Sequence, residues 1–269
     1  MSELTPESRR AFFAACPLGV SELLASELRE LGIDVEREHP AGVTFAGRLS
    51  DGYRACLCSR TASRVLVTLA SGDARSSDAF YAFVRAMPWE QHLAADCTLA
   101  IDIVGEVPSW VRHTTFAAQR AKDAIVDRLQ EIAGRRPSVE FTDPDLRVGV
   151  RFARENATLA IDLSGAPLHR RGYRQSAVEA PVKENLAAAL LLRSGWPAIA
   201  AAGGGFADPM CGSGTFVIEA ALIAGRHAPG LFRRRFGFER WLGHDAAAWT
   251  AVREEAQARS TLTLSLIHI

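Results

Sequence analysis

The string DPMCGSGT at residues 208–215 brings together residue types suited to holding a ligand. Gly212 and Gly214 lack the Cβ that would keep a ligand away from backbone N–H groups. Asp208 stands where a strand would end, and its carboxylate can organise the turn or accept from a ligand amino group. A P-loop needs Gly-Lys-Ser/Thr after its glycines, whereas Gly214 is followed by Thr215 and Phe216, which argues against phosphate binding of that type. A dinucleotide fingerprint needs a third small residue where Val217 stands, and an acidic partner roughly 20 residues on that cannot be placed. A purely structural turn remains open as an alternative. Cys211 has no neighbouring His base in the sequence, so it is read as a small residue packed into the turn, not a nucleophile.

Two cationic clusters accompany this turn. His169, Arg170, Arg171 and Arg174 interleave with Tyr173, and Arg233, Arg234, Arg235 and Arg240 are flanked by Phe232, Phe236, Phe238 and Trp241. Arginine beside aromatics suits phosphates and stacked, unpaired bases. The competing reading is a solvated face lying over core aromatics.

The elements that must position these residues follow from hydrophobic periodicity. Over residues 17–31, Val20, Leu23, Leu24, Leu28 and Leu31 form one helical stripe opposite Glu22, Glu27, Arg29 and Glu30, and Gly32 ends the helix. Period-two alternation predicts strands at Val65, Val67 and Leu69; at Leu99, Ile101 and Ile103; at Val148, Val150 and Phe152; and at Leu159, Ile161 and Leu163. A helix over 116–132 carries Ala117, Ala121, Ile125, Leu129 and Ile132 on one side, with Thr114 or Thr115 as its cap. After Gly165 a basic, turn-rich stretch at 167–181 leads into the apolar helix 183–193. The Ala/Gly-rich residues 198–207, the turn, and a helix over 215–226 then read as the opening βα unit of a doubly wound sheet.

Composition narrows the class. A chain of 269 residues is long enough for two compact units. Lys plus Arg and Asp plus Glu both number 31, so nucleic-acid contact must come from local patches and not from overall charge. The five cysteines show no Cys-x-x-Cys spacing, which points to reduced thiols and no metal site. No secretory leader or membrane-length apolar run occurs, so a cytoplasmic protein is expected.

The full string DPMCGSGT resembles the cofactor motif of class I methyltransferases that act on exocyclic amino groups of RNA bases. LHRRGYR at 168–174, APVKENLAAALLLRSGW at 180–196, APGL at 228–231, DAIVD at 123–127 and DLRVGV at 145–150 resemble one subgroup, the RlmL/RlmKL family of large-subunit ribosomal RNA guanine-N2 methyltransferases. The resemblance spans roughly residues 10–260.

It implies an α/β and α+β chain: a ferredoxin-like element at 1–60, a THUMP RNA-binding domain at 61–165 and the first part of a Rossmann-like methyltransferase domain at 166–259. It also implies S-adenosylmethionine as cofactor, held by Asp208, Pro209, Cys211, Gly212, Gly214 and Thr215, with Lys183 and Asn185 covering the same pocket. For Lys183 and Asn185, solvent-facing helix-start residues remain the alternative. The implied partner is large-subunit 23S rRNA, contacted through Arg170, Arg171, Arg174, Arg233, Arg234 and Arg235. The Asn/Asp-Pro-Pro-Tyr/Phe motif that would grip the target amino group is absent from these residues and is expected downstream of Arg259, with no catalytic residue upstream of it. The abrupt change to STLTLSLIHI at 260–269 reads as a non-native tail. The expectation is therefore an inactive fragment, with an RNA-binding THUMP module lacking catalytic activity as the alternative.

Overall fold

The computed structural model describes residues 8–174 and 182–261. The end of the basic stretch at 175–181 and most of the expected non-native tail lie outside the described residues. The chain forms two compact units. Of the described residues, one unit, here called terminal, gathers 8–65, 167–174, 182–235 and 245–261; the other, called middle, gathers 66–166 and 236–244.

The terminal unit opens with β1 (Arg10–Ala15), α1 (Ser21–Glu30), β2 (Asp34–His39), β3 (Gly42–Gly47) and α2 (Leu49–Cys58). Strand β3 lies between β2 and β1 and is antiparallel to both. The stripe read from the sequence delivers Val20, Leu24 and Leu28 to the core. Strand β4 (Arg64–Asp73) crosses the boundary and continues into the middle unit with α3 (Ser77–Ala86), β5 (Thr98–Glu106), α4 (Thr114–Ala133), β6 (Ser138–Val139), β7 (Leu146–Ala153) and β8 (Asn156–Asp162). There the strands run β4-β8-β7-β5-β6, antiparallel across the first two pairs and parallel across the last two. All four period-two segments form strands, with Leu163 one residue past the end of β8.

Helix α4 buries Ala117, Ala121, Ile125 and Leu129, but Ile132 is exposed because it falls in the last turn. The expected threonine cap does not form. His113 holds the cap position without a side-chain bond, and Thr114 is already helical.

The terminal unit resumes with α5 (Glu184–Arg193), α6 (Trp196–Ala201), α7 (Thr215–Ala224) and α8 (Ala246–Ala258). Leu191, Trp196, Ala220 and Ile223 make a small core among α5, α6 and α7, and the Trp196 indole donates to the Ala220 carbonyl at 2.8 Å. Full burial of an aliphatic side chain of this size stabilises by roughly 2 kcal/mol.

The sequence predicts a strand running into the Gly-rich turn, and here the structure differs. Residues 198–201 end α6, while 201–207 are exposed and form no strand. A strand exists through its neighbours, and among the described residues none pairs with this segment, whose Gly and Ala side chains bring little apolar surface to bury. Among the described residues, no helix is long and apolar enough to cross a membrane.

Candidate functional site

The turn at 208–215 is set by three local features. The Asp208 carboxylate accepts from the Met210 N–H at 3.0 Å, so it performs the organising role offered to it by the sequence. Gly214 N–H closes the turn on the Cys211 carbonyl at 2.7 Å. Gly212 and Gly214 both adopt left-handed backbone, with φ of 52° and 72°.

A Cβ on Gly212 would meet nothing within 4 Å, and one on Gly214 only a methyl of Ile218 at 3.9 Å. The turn therefore opens onto free space. Gly214 is also the N-cap of α7 and supplies no side-chain cap, so the first N–H groups of α7 remain available to an electron-rich ligand.

Arg174 clamps this turn. Its guanidinium donates to Ser213 Oγ and Thr215 Oγ1, both at 3.1 Å, to Glu184 Oε1 at 3.1 Å and to the Val182 carbonyl at 3.4 Å. The residue that looked like an RNA contact in the sequence thus joins the turn to the start of α5.

Arg171 is buried. It donates to the carbonyls of Leu168, at 2.8 Å, and Arg60, and it faces Glu219 on α7 at 3.6 Å. Tyr173 donates to the same Glu219 carboxylate at 3.0 Å. Burial pushes the Glu219 carboxyl above the usual range, against the pull of Arg171 and Tyr173.

Asn185 also points inward, donating to Ser63 Oγ at 3.0 Å and the Thr61 carbonyl at 3.4 Å. Lys183 is exposed and Asn185 is buried.

Sequence reasoning missed the supports behind these residues. Glu27 was read as part of a polar face, yet it accepts from Ser59 Oγ, from the N–H groups of Arg60 and Thr61, and from Thr61 Oγ1. That anchors Arg60, which donates to the Leu222 and His227 carbonyls at 3.1 and 3.0 Å and so closes the C-terminal end of α7 with a positive charge. Glu219 was the available signal, a single acid inside the apolar run TFVIEAALIA, because a lone carboxylate in such a run demands a buried partner.

The two cationic clusters meet. Gly172 packs so closely on Phe232 that a Cβ would lie 2.5 Å from the Phe232 carbonyl oxygen, and Arg233 donates to the carbonyls of Pro167 and Arg170 at 2.9 and 2.7 Å. Arg170 and Arg234 are exposed, and Arg235 is half-buried.

The expected aromatic interleaving fails for three of four rings. Phe236, Phe238 and Trp241 are core residues of the middle unit, where Trp241 donates to His92 at 3.1 Å; only Phe232 is exposed, at 44%. These three rings are therefore closed to base stacking. Arg240 belongs with them and pairs with Asp145 at 2.7 Å.

Beside the turn, His169, Arg170, Arg171, Gly172, Arg174, Val182, Lys183 and Glu184 line a cleft of about 500 Å³. Among the described residues, no three His, Cys, Asp or Glu side chains gather as a metal set.

Residues 11–66 match the RlmL ferredoxin-like domain, 74–162 the THUMP domain and 171–268 the RMKL-like methyltransferase domain. Ribosomal RNA large subunit methyltransferase K/L of Cellvibrio japonicus is 49% identical over 258 residues, covering 96% of this chain and 34% of its own length. The protein of that name from Syntrophotalea carbinolica is 53% identical over 248 residues, covering 92% and 35%. The chain carries the sequence of RlmL ferredoxin-like, THUMP and RMKL-like methyltransferase domains.

It spans about a third of the length of these curated relatives. Among solved structures, SMU.472, a putative methyltransferase complexed with SAH, aligns with a TM-score of 0.81 at 32% identity, covering 97% of this chain and 67% of that one. The methyltransferase-domain match begins at Arg171, the buried arginine that faces Glu219. The ferredoxin-like match includes Arg60, Thr61 and Ser63, the residues that brace α7 and Asn185.

Proposed function

We propose that this chain is the RNA-recognising and cofactor-binding portion of an S-adenosylmethionine-dependent methyltransferase acting on guanine N2 of 23S rRNA in the cytoplasm. On this reading 1–60 is the ferredoxin-like element, 61–165 the THUMP domain and 166–259 methyltransferase sequence. The observation that carries it is the turn itself: two left-handed glycines open onto the uncapped N-terminus of α7 while Arg174 holds Ser213 and Thr215 from behind.

The residues fit the cofactor. A side chain at Gly212 or Gly214 would fill the space in front of the turn, and Asp208, Pro209, Cys211, Gly212, Gly214 and Thr215 would surround the methionine end. S-adenosylmethionine supplies a methyl group on a sulfonium centre. The chain's own contribution is to bind and orient, since transfer to an amino group depends chiefly on alignment. Exposed Arg170 and Arg234 would contact RNA phosphates. The 269 residues contain no Asn/Asp-Pro-Pro-Tyr/Phe motif, so on this reading the chain binds without transferring a methyl.

Calorimetry with S-adenosylhomocysteine, alongside fluorescence anisotropy with a labelled rRNA fragment, tests the proposal. Binding of both supports it. RNA binding with no heat from S-adenosylhomocysteine would favour a THUMP RNA-binding module without catalytic activity, a reading that draws on the missing strand before the turn. Methylated guanine in a single-turnover assay would overturn the inactivity.

A further inference from the structure

We propose that His169, Arg170 and Lys183 form a subsite for one phosphodiester of the RNA strand, adjoining the cofactor turn; this rests on the rRNA methyltransferase reading above.

Charge accounting in the cleft leads there. Among the described residues, Arg170, Arg171, Arg174 and Lys183 line it with a single carboxylate, Glu184. Arg174 is committed to Glu184 at 3.1 Å, and Arg171 faces Glu219 at 3.6 Å. Arg170 and Lys183 are exposed, and neither side chain makes a hydrogen bond or ion pair among the described residues. Two positive charges are therefore uncompensated, among the described residues, at one concave surface.

A further polar group converges on them. His169 is half-buried and senses Glu184, Lys183, Arg170 and Arg171 electrostatically, while burial holds its pKa below the ordinary value. A neutral imidazole adds one N–H donor to the cleft without further charge.

This donor set, with one planar guanidinium fork, one ammonium and one imidazole N–H, matches the two non-bridging oxygens of a phosphodiester. The volume of about 500 Å³ lies within the roughly 300–1,000 Å³ of small-ligand clefts, so it takes a nucleotide unit more readily than a bare anion. Arg174 lines this cleft and also bonds Ser213 and Thr215 of the turn. The cleft and the turn therefore share Arg174 as a common wall.

The test is the double variant R170Q/K183Q, compared with the charge-conserving R170K/K183R and with wild type. RNA affinity is read by anisotropy of a fluorescein-labelled single-stranded oligoribonucleotide across a salt series, with thermal melting as a check on folding. The proposal expects R170Q/K183Q to weaken RNA binding about tenfold and to reduce the log–log salt slope by about one. R170K/K183R should retain the wild-type slope, and affinity for S-adenosylhomocysteine should stay within about twofold.

An unchanged slope in a folded R170Q/K183Q overturns the subsite. So does a loss of S-adenosylhomocysteine affinity with RNA binding intact, which would give the cleft to the cofactor. Inorganic phosphate that binds wild type and not R170Q/K183Q, with no change in RNA slope, would assign the cleft to a free anion. A wild-type chain with no RNA affinity would instead remove the parent reading, an outcome distinguishable from the rest.

Discussion

The Arg171 guanidinium and the Glu219 carboxylate lie 3.6 Å apart with side-chain exposures of 1% and 0%. Arg171 Nε and Glu219 Oε2 each lack a hydrogen-bond partner among the described residues. Removing one member leaves a buried, uncompensated charge, a loss usually costing about 3–5 kcal/mol. R171A is therefore expected to destabilise the terminal unit by that amount in chemical denaturation. A loss below about 1 kcal/mol, the scale of an exposed ion pair, would place Arg171 at the surface.

Glu219 also predicts a pH dependence. Burial raises its folded pKa above an unfolded carboxylate value of about 4.3, so the native state holds this proton more tightly than the unfolded chain. The stabilisation is complete below the unfolded value and is lost as pH rises through the folded one. Wild type should thus lose stability relative to E219Q as pH rises above the unfolded carboxylate value of about 4.3. Parallel stability curves for the two proteins would contradict this.

Two glycines separate strain from collision. Alanine at Gly214 keeps a φ of 72° but has open space, so the folding cost is only that of left-handed backbone, about 1–2 kcal/mol. Its larger effect is on ligand approach, and G214A should lose affinity for S-adenosylhomocysteine while remaining folded. Alanine at Gly172 adds a 2.5 Å approach to the Phe232 carbonyl oxygen at a φ of 105°, so G172A should be much the less stable in thermal melts. Equal melting temperatures would refute the packing.

Arg174 and Arg234 should behave as opposites. R174A frees Ser213 and Thr215, so S-adenosylhomocysteine binding is expected to weaken while the salt slope of RNA binding holds. R234A removes an exposed cation and should lower that slope by about one without touching the turn. Reversed results would exchange the roles of the two residues.

The thiols of Cys16 and Cys58 are pushed up to about 11 by burial. At pH 8 only about one molecule in a thousand then carries either thiolate. Iodoacetamide should leave both unlabelled in the native protein and modify them after denaturation; rapid native labelling at Cys58, which is half-buried, would count against its raised pKa.

Much of this was legible in the sequence because it depends on local pattern. The four period-two segments, the α1 stripe and the Gly-rich turn follow from residue type and spacing alone. What was not legible depends on partners far along the chain. Arg170, Arg171 and Arg174 look alike within six residues, yet Glu219, Ser213 and Thr215 decide which of them stay exposed. Phe236, Phe238 and Trp241 resemble stacking aromatics until His92 and the middle unit claim them. The strand expected before the turn failed for the same reason: strand formation needs a paired neighbour, and an Ala/Gly-rich segment cannot reveal one from its own composition.

Arg60 closes the end of α7 at Leu222, 162 residues later, and Asn185 reaches back 122 residues to Ser63. During synthesis, then, the first sixty-five residues emerge long before their partners exist. Contacts this distant form slowly because a large loop must close first, and incomplete intermediates expose apolar surface meanwhile. The terminal unit is thus a late assembly on the translating ribosome. Trimming the N-terminal segment to obtain a smaller protein would take away the brace on α5 and α7, and with it the fixed position of the turn.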